Sequence, residues 1–332
     1  KDYTFSTGVN MYESLQTNKS SDRYSYALPY YRFSRTFDLD KFGWIDFTSN
    51  GDNNLVKTNN LSTAISNGIA YHTNEYISDF GFKNNMGFYF TNLNTIAKNN
   101  NLYKSSPQAE LLNIFEFNSS LPLQKIDGNY LNIIEPKISI RFNPDDMKNY
   151  SSLKRVINTD NVFDIGRLGL GADSYEQGKS LTLGARYKRE DIGDINKYFE
   201  LKLATVMRED DQEFIPSSST INTKNSNIFG SIEYNYSEKL NLNYNFTLDN
   251  DFATFNYNSL GLTYGTEKLS HKIKFIEENG VIGTTNLIGN ELEYNFDDKN
   301  FISFKTRRNR TINLTEYYDI IYQYKNDCLT AG

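Results

Sequence analysis

A chain of 332 residues with 35 basic and 41 acidic side chains, net charge −6, spreads both signs along its length. That excludes the clustered basic surface of a nucleic-acid binder. No run approaches the roughly 20 apolar residues of a spanning helix, which leaves strands as the means of crossing a membrane. Aromatics make up 15% of the chain, 25 Tyr and 23 Phe against one Trp. An AT-rich genome accounts for part of that excess but not for its confinement to one strand face.

Taken from the N-terminus, segments alternating apolar and polar residues fall at about 3–14, 26–37, 42–49, 63–72, 77–92, 108–119, 129–142 and 179–189. They continue at about 198–206, 227–236, 240–248, 254–264, 269–277, 288–296, 301–308 and 316–326. The phase is cleanest at Leu240–Leu248, where Leu240, Leu242, Tyr244, Phe246 and Leu248 alternate with Asn241, Asn243, Asn245 and Thr247. Ile138, Ile140 and Phe142 likewise oppose Lys137, Ser139 and Arg141. A slip between Tyr257 and Leu260 predicts a bulge there. The stretch 145–157 has room for a short helix at most. The chain opens at Lys1 without a signal segment and ends just past the start of another strand, so it reads as a fragment of a longer protein.

Connections at 38–41, 73–76, 120–128, 190–197, 237–239, 265–268 and 297–300 are short. Those between them, at 15–25, 50–62, 93–107, 143–178, 207–226, 249–253, 278–287 and 309–315, are each expected to exceed both neighbours. Short turns at one end and long loops at the other characterise outer-membrane barrels, with the turns periplasmic. A soluble meander has no reason to sort loop length by parity. The expected fold class is therefore all-β, an antiparallel up-and-down transmembrane β-barrel of the outer-membrane type. Sixteen such strands close as a porin-sized barrel or form part of a wider one. A general porin or receptor barrel and a soluble β-rich surface protein remain the alternatives.

Enzymatic chemistry leaves no trace. The two histidines, His72 and His271, sit apart on strands, and no Cys/His cluster has zinc spacing. Gly166, Gly169 and Gly171 lack the βαβ context of a phosphate loop. The acidic runs Glu209-Asp210-Asp211 and Pro144-Asp145-Asp146 read as solvated loop charge. The expectation is no enzyme, no cofactor and no metal. Cys328, the single cysteine, has no partner within the chain.

The stretch from Asp160 to Gly178 contains Asn161-Val162-Phe163, then Arg167, then Gly171-Ala172-Asp173, Glu176 and Gly178, and runs into Leu181-Thr182-Leu183-Gly184. It resembles the most recognisable segment of the LptD family of lipopolysaccharide-assembly outer-membrane proteins. Glu135-Pro136-Lys137-Ile138 through Arg141-Phe142-Asn143-Pro144, and Tyr317-Tyr318-Asp319 through Asp327-Cys328, are similar to the same family. Ala27-Leu28-Pro29-Tyr30 is a fainter fourth match. Ser174 departs from the pattern, standing where members commonly carry Arg, and Cys328 stands alone where some carry adjacent cysteines.

The resemblance implies a barrel of about twenty-six strands, of which residues 1–332 form one barrel-domain fragment without the periplasmic jelly-roll domain or the terminal gate strands. It implies an outer-membrane location in a Gram-negative bacterium. Lipopolysaccharide would enter from the periplasmic domain, and its lipid part would leave sideways between the first and last strands. The implied partners are lipopolysaccharide, the bilayer, an LptE-type plug lipoprotein, and an LptA-type bridge reached through the N-terminal domain. The site residues it marks are Asn161, Phe163, Arg167, Gly171, Asp173, Glu176 and Gly178. The 143–178 connection, which also carries Lys179 at its end, is expected to fold inward, with its charges toward sugar and phosphate. Parity places Cys328 on the periplasmic side, and the resemblance implies a disulfide from it to the N-terminal domain.

Overall fold

The structure, a computed structural model, describes residues 3–14, 24–56, 59–100, 103–171, 174–237, 239–325 and 330–331. Within them the fold is all-β and antiparallel up-and-down. It has nineteen strands, two short 3-10 turns at Asp40–Phe42 and Ser217–Ser219, and no α-helix. No helix is long and apolar enough to cross a membrane, which says nothing of crossing by strands. The chain divides into two compact units. One comprises Lys1–Asn118, Ile140–Lys148 and Leu170–Lys179; the other comprises Ser119–Ser139, Asn149–Gly169 and Ser180–Gly332.

In the first unit β1 (Tyr3–Glu13), β2 (Tyr24–Asp38), β3 (Trp44–Val56), β4 (Asn60–His72) and β6 (Lys83–Lys98) pair in turn, each antiparallel to the last. The two-residue β5 (Tyr76–Ile77) folds onto the start of β6, and β7 (Gln108–Ser120) follows. Side chains directly opposite across a ladder share a face. Thr4, Ser34, Thr48, Gly68 and Thr91 form one such row, all small and mostly polar. One residue away, on the other face, Tyr3, Arg35, Phe47, Ile69 and Phe90 form the next.

The second unit contains β8 (Leu123–Asp127), most of β9 (Tyr130–Asn143) and β10 (Gly178–Asp191), and β11 (Tyr198–Arg208). It continues through β12 (Ile228–Ser237), β13 (Leu240–Leu248), β14 (Phe255–Gly265) and β15 (Leu269–Glu278). The last strands are β16 (Asn286–Asn295), β17 (Asn300–Asn309), β18 (Leu314–Lys325) and β19 (Thr330–Ala331). From β10 to β16 a single cross-strand row reads Tyr187, Leu201, Ile232, Tyr244, Leu260, Phe275, Ile288. The adjacent row on the opposite face reads Lys188, Glu200, Glu233, Asn243, Gly261, Lys274.

These faces are inverted relative to a soluble protein. On β18, Tyr318, Ile320 and Tyr322 are 70%, 68% and 53% exposed. On β9, Ile138, Ile140 and Phe142 are exposed while Ser139, Arg141 and Asn143 are buried. An apolar face running across this many strands far exceeds the few hundred Å² a monomer tolerates in water. Against acyl chains the same face is satisfied, and the paired backbone ladders leave few groups needing water. The apolar side is called the bare face below, and the polar side, over which connections fold, the covered face.

Several sequence expectations are corrected. The loop placed at 50–62 is largely strand: β3 continues to Val56 and β4 begins at Asn60. Ser49 to Asn54 is polar on both faces and mimics turn chemistry. Yet Gly51 lies opposite Tyr31, whose ring occupies the place of its missing Cβ. Residues 93–98 are also strand, and 78–82 are a turn between β5 and β6. The parity of loop length therefore holds at 99–107, 144–177, 209–227, 249–254 and 279–285 but not at 57–59 or 310–313. The bulge of β14 lies at Asn256, where Thr247 pairs with Tyr257 and Leu248 with Phe255. Tyr257 is thereby an aromatic on the covered face, and Asn258 sits on the bare face, accepting the Tyr244 hydroxyl at 2.6 Å. No helix forms in 145–157.

Candidate functional site

The 144–177 connection folds back onto the covered face and contributes to both units. In the first unit its anchor is Arg141, on the covered face of β9 and 2% exposed. Its Nε donates to Glu116 Oε1 at 2.9 Å and its Nη2 lies 2.8 Å from the same oxygen. Its Nη1 is 3.9 Å from Glu176 Oε2, a carboxylate brought by the connection itself. Beside it the Tyr175 and Thr91 hydroxyls are 2.9 Å apart, and burial pushes the Tyr175 phenol above its ordinary value. Ser174 Oγ accepts the Lys148 N–H at 3.1 Å, so the residue that departs from the family pattern pins the connection to its own opposite limb. Asp145 Oδ2 accepts the Asn113 backbone and side-chain N–H groups at 2.9 and 2.6 Å. Lys179 rests 6.0 Å from the Phe142 ring.

In the second unit the anchor is Arg167, fully buried. Its guanidinium donates to Val162 O at 3.0 Å, Thr182 Oγ1 at 2.8 Å and Ser180 Oγ at 3.0 Å, so the covered face of β10 holds it by two hydroxyls. The preceding turns form a compact ladder in which Val162, Asp164, Arg167 and Gly169 N–H groups donate to Asn158, Asn161, Asp164 and Gly166 carbonyls. Asn161 caps that ladder, accepting the Asn158 N–H at 2.9 Å and donating to Val156 O at 3.2 Å. Phe163 lies over Gly184, where an added Cβ would stand 2.8 Å from the ring.

Gly171 borders a cleft of about 360 Å³ with Arg32 and Asp52, themselves paired at 2.7 Å. Gly178 opens β10 at φ +80°, a conformation glycine adopts without strain. Asp173 and Cys328, both singled out from sequence, lie outside the described residues.

Sequence reasoning missed three contributors. Glu116 is the acid that neutralises Arg141; it lies on the buried face of β7 in line with Leu112 and Ile114, a carboxylate following two apolar side chains on the same face. The 209–227 connection also packs inward, burying Ile215 and Ile221 alongside Ile157, Val162, Leu168 and Phe229 of the same unit. Ser218 Oγ accepts the Arg155 N–H at 2.8 Å, and Arg208 Nε donates to Ile221 O. The third is an ionic array on the covered face of β9 to β11. Arg186 contacts Glu200 at 2.5 Å and Glu135 at 3.7 Å, and Lys202 lies 3.2 Å from both Glu200 and Asp160. Arg186, Glu200, Lys202 and Asp160, with Lys137 and Phe163, line a polar cleft of about 350 Å³.

The histidines take structural places. His72 stacks on Trp44 at 5.0 Å between ring centroids, meets the Tyr89 edge at 5.3 Å and lies 3.8 Å from Asp46. Among the described residues no three His, Cys, Asp or Glu side chains converge as a metal set. The chemistry on offer is recognition of polar, charged groups along the covered face.

A strand meander with a bare apolar face, a charged opposite face and a long connection folded over the latter defines a β-barrel protein of the outer-membrane type. The family model for LptD, LPS transport system D, matches residues 1–299, and the chain belongs to that family. It is a family of lipopolysaccharide transport and assembly, not of enzymes. Among solved structures, the siderophore receptor PirA from Pseudomonas aeruginosa is similar over 90% of this chain, at 12% identity and a TM-score of 0.43. The chain spans 63% of the length of that receptor. Among curated proteins none matches with significance.

Proposed function

We propose that this chain is a wall of the outer-membrane lipopolysaccharide translocon. In this role the covered face forms the polar lining past which the saccharide moves, and the bare face meets the bilayer. The observation that carries the proposal is the inward-folded connection, held by Arg141 between Glu116 and Glu176 and by Arg167 on Ser180 and Thr182. Buried polar networks of this kind hold a polypeptide in one arrangement, because each undone contact strands a desolvated charge. The connection thereby presents Asp160 beside Lys202, Glu200 and Arg186, a set of donors and acceptors suited to sugar hydroxyls and phosphates. The acyl part leaves through a lateral seam formed by strands outside this chain. A plug lipoprotein of the LptE type and a periplasmic bridge of the LptA type complete the assembly in this proposal, with Cys328 disulfide-linked to the N-terminal domain.

The test is photo-crosslinking in living cells, with the crosslinker at Lys202 (covered face) or Leu201 (bare face) of the full-length protein. Lipopolysaccharide adducts at Lys202 should disappear soon after lipopolysaccharide synthesis is blocked, because they report molecules in transit. Adducts at Leu201, formed with resident lipid, should persist. Absence of lipopolysaccharide adducts at Lys202 during active synthesis would refute the proposal.

A further inference from the structure

The bare face of β10 to β12 is mostly apolar, and at one end of it Arg189, Phe199 and Tyr234 are successive cross-strand partners. With Tyr130, Asp191, Lys197 and Tyr236 they border a cleft of about 350 Å³. It lies at the end of these strands marked by the short connections 128–129, 192–197 and 238–239. The Arg189 guanidinium sits 4.0 Å from the centre of the Tyr130 ring, and the Lys197 ammonium 5.9 Å from that of Tyr236.

The charge here is only partly compensated. Lys188, the preceding residue on the covered face, pairs with Glu190 at 2.6 Å, whereas Arg189 forms no ion pair among the described residues. Lys197 meets Asp194 at 3.5 Å, but both side chains are more than 40% exposed, and such a pair is weak. The Asp191 carboxylate is engaged by the Gly193 and Asp194 N–H groups at 2.8 and 3.2 Å. The adjoining turn displays Ile192 and Ile195, 51% and 68% exposed, so its tip is apolar as well as cationic in setting. The first unit repeats the device: Arg35, on the bare face near the 39–43 connection, lies 4.6 Å from the Phe37 ring, and Lys41 5.1 Å from that of Phe42.

A guanidinium seated over an aromatic ring can still turn N–H groups toward a planar or tetrahedral anion. The floor of the cleft runs without interruption into the apolar row through Leu201 and Ile232. An anion that belongs here therefore carries hydrocarbon. We infer that this cleft seats the phosphate of a membrane phospholipid on the turn side of the bilayer, with its acyl chains along Leu201 and Ile232. The inference rests on the lipid-facing reading of the bare face. It adds a specific lipid site at the end remote from the long connections.

The test uses the full-length protein in nanodiscs of phosphatidylethanolamine and phosphatidylglycerol at three to one, extracted gently and weighed by native mass spectrometry. The wild type should retain phosphatidylglycerol, and Arg189→Gln with Lys197→Gln should lower that retention by about thirty-fold, the effect of two cations near an anionic surface. Tyr130→Leu, which removes the seat but keeps both charges, should lower it in the same direction. Lys268→Gln, at a turn cation outside the cleft, should leave it unchanged. Excess glycerol phosphate should not displace the lipid; displacement would assign the cleft to a soluble phosphate and overturn the inference. Equal retention by wild type and the double variant, both inserted, would overturn the inference alone. Failure of the wild type to enter the nanodisc would overturn the lipid-facing reading and the inference together.

Discussion

Replacing Glu116 by Ala isolates the energetics of the inward-folded connection. In the closed arrangement Arg141 is 2% exposed and touches Glu116 twice, at 2.8 and 2.9 Å. The Glu176 carboxylate is farther, at 3.9 Å, so removing Glu116 takes away the nearer of the two acids. Removing one partner of a buried pair costs about 3–5 kcal/mol, because the remaining charge is desolvated without compensation. That penalty falls only on the closed arrangement, since lifting the connection lets water reach Arg141. At tenfold per 1.4 kcal/mol, 3 kcal/mol raises the open population by about a hundredfold. Limited trypsinolysis of the full-length protein in detergent reads this at Lys148, Lys154 and Arg155, which lie within the connection. Cleavage tracks the open population when reclosing is fast. Glu116→Ala should accelerate it by about a hundredfold, and Glu176→Ala, which removes the longer contact, by less. A change below about threefold for Glu116→Ala would refute the argument that this pair holds the connection down.

Arg167→Lys should loosen the 158–169 turns by about 2–4 kcal/mol. An ammonium cannot reach Val162 O, Thr182 Oγ1 and Ser180 Oγ in the geometry the fork now satisfies, which strands buried acceptors. Amide hydrogen exchange across those residues measures the loss, and unchanged protection would contradict it. Gly184→Ala should displace Phe163 at a cost of about 1–3 kcal/mol. The added methyl would stand 2.8 Å from that ring and 3.0 Å from the Leu203 carbonyl, which cannot yield. Faster exchange at 160–165 with β10 amides unchanged is the expected result, and loss of the whole β10 ladder would show that the cost falls on the strand instead.

How much of this was legible follows from the range of each interaction. Leu240–Leu248 could be placed to the residue because its alternation is local and both faces are chemically pure. Residues 50–56 could not, because a polar strand containing Gly51 looks like a turn until Tyr31 is known to cover the glycine. The phase of β14 failed for a related reason: one extra residue, Asn256, moves Tyr257 to the covered face, and single-residue shifts invert every later side chain. Within the site, Arg167 and Glu176 stood out through the family pattern. The partnership of Arg141 with Glu116, 25 positions apart, depends on strand register, which no local pattern in the sequence marks.

The central claim is that each strand divides its residues between lipid and a polar interior. Fluorescence quenching by lipids brominated along the acyl chain tests it most directly. The full-length protein carries Trp44→Phe, with every Trp outside residues 1–332 also replaced by Phe, and a single Trp walked through 240–248, in vesicles. Strong quenching is expected at 240, 242, 244, 246 and 248 and little at 241, 243, 245 and 247, in keeping with the bare row through Tyr244 and the covered row through Asn243. Equal quenching at all nine positions, or quenching with the opposite phase, would contradict the account.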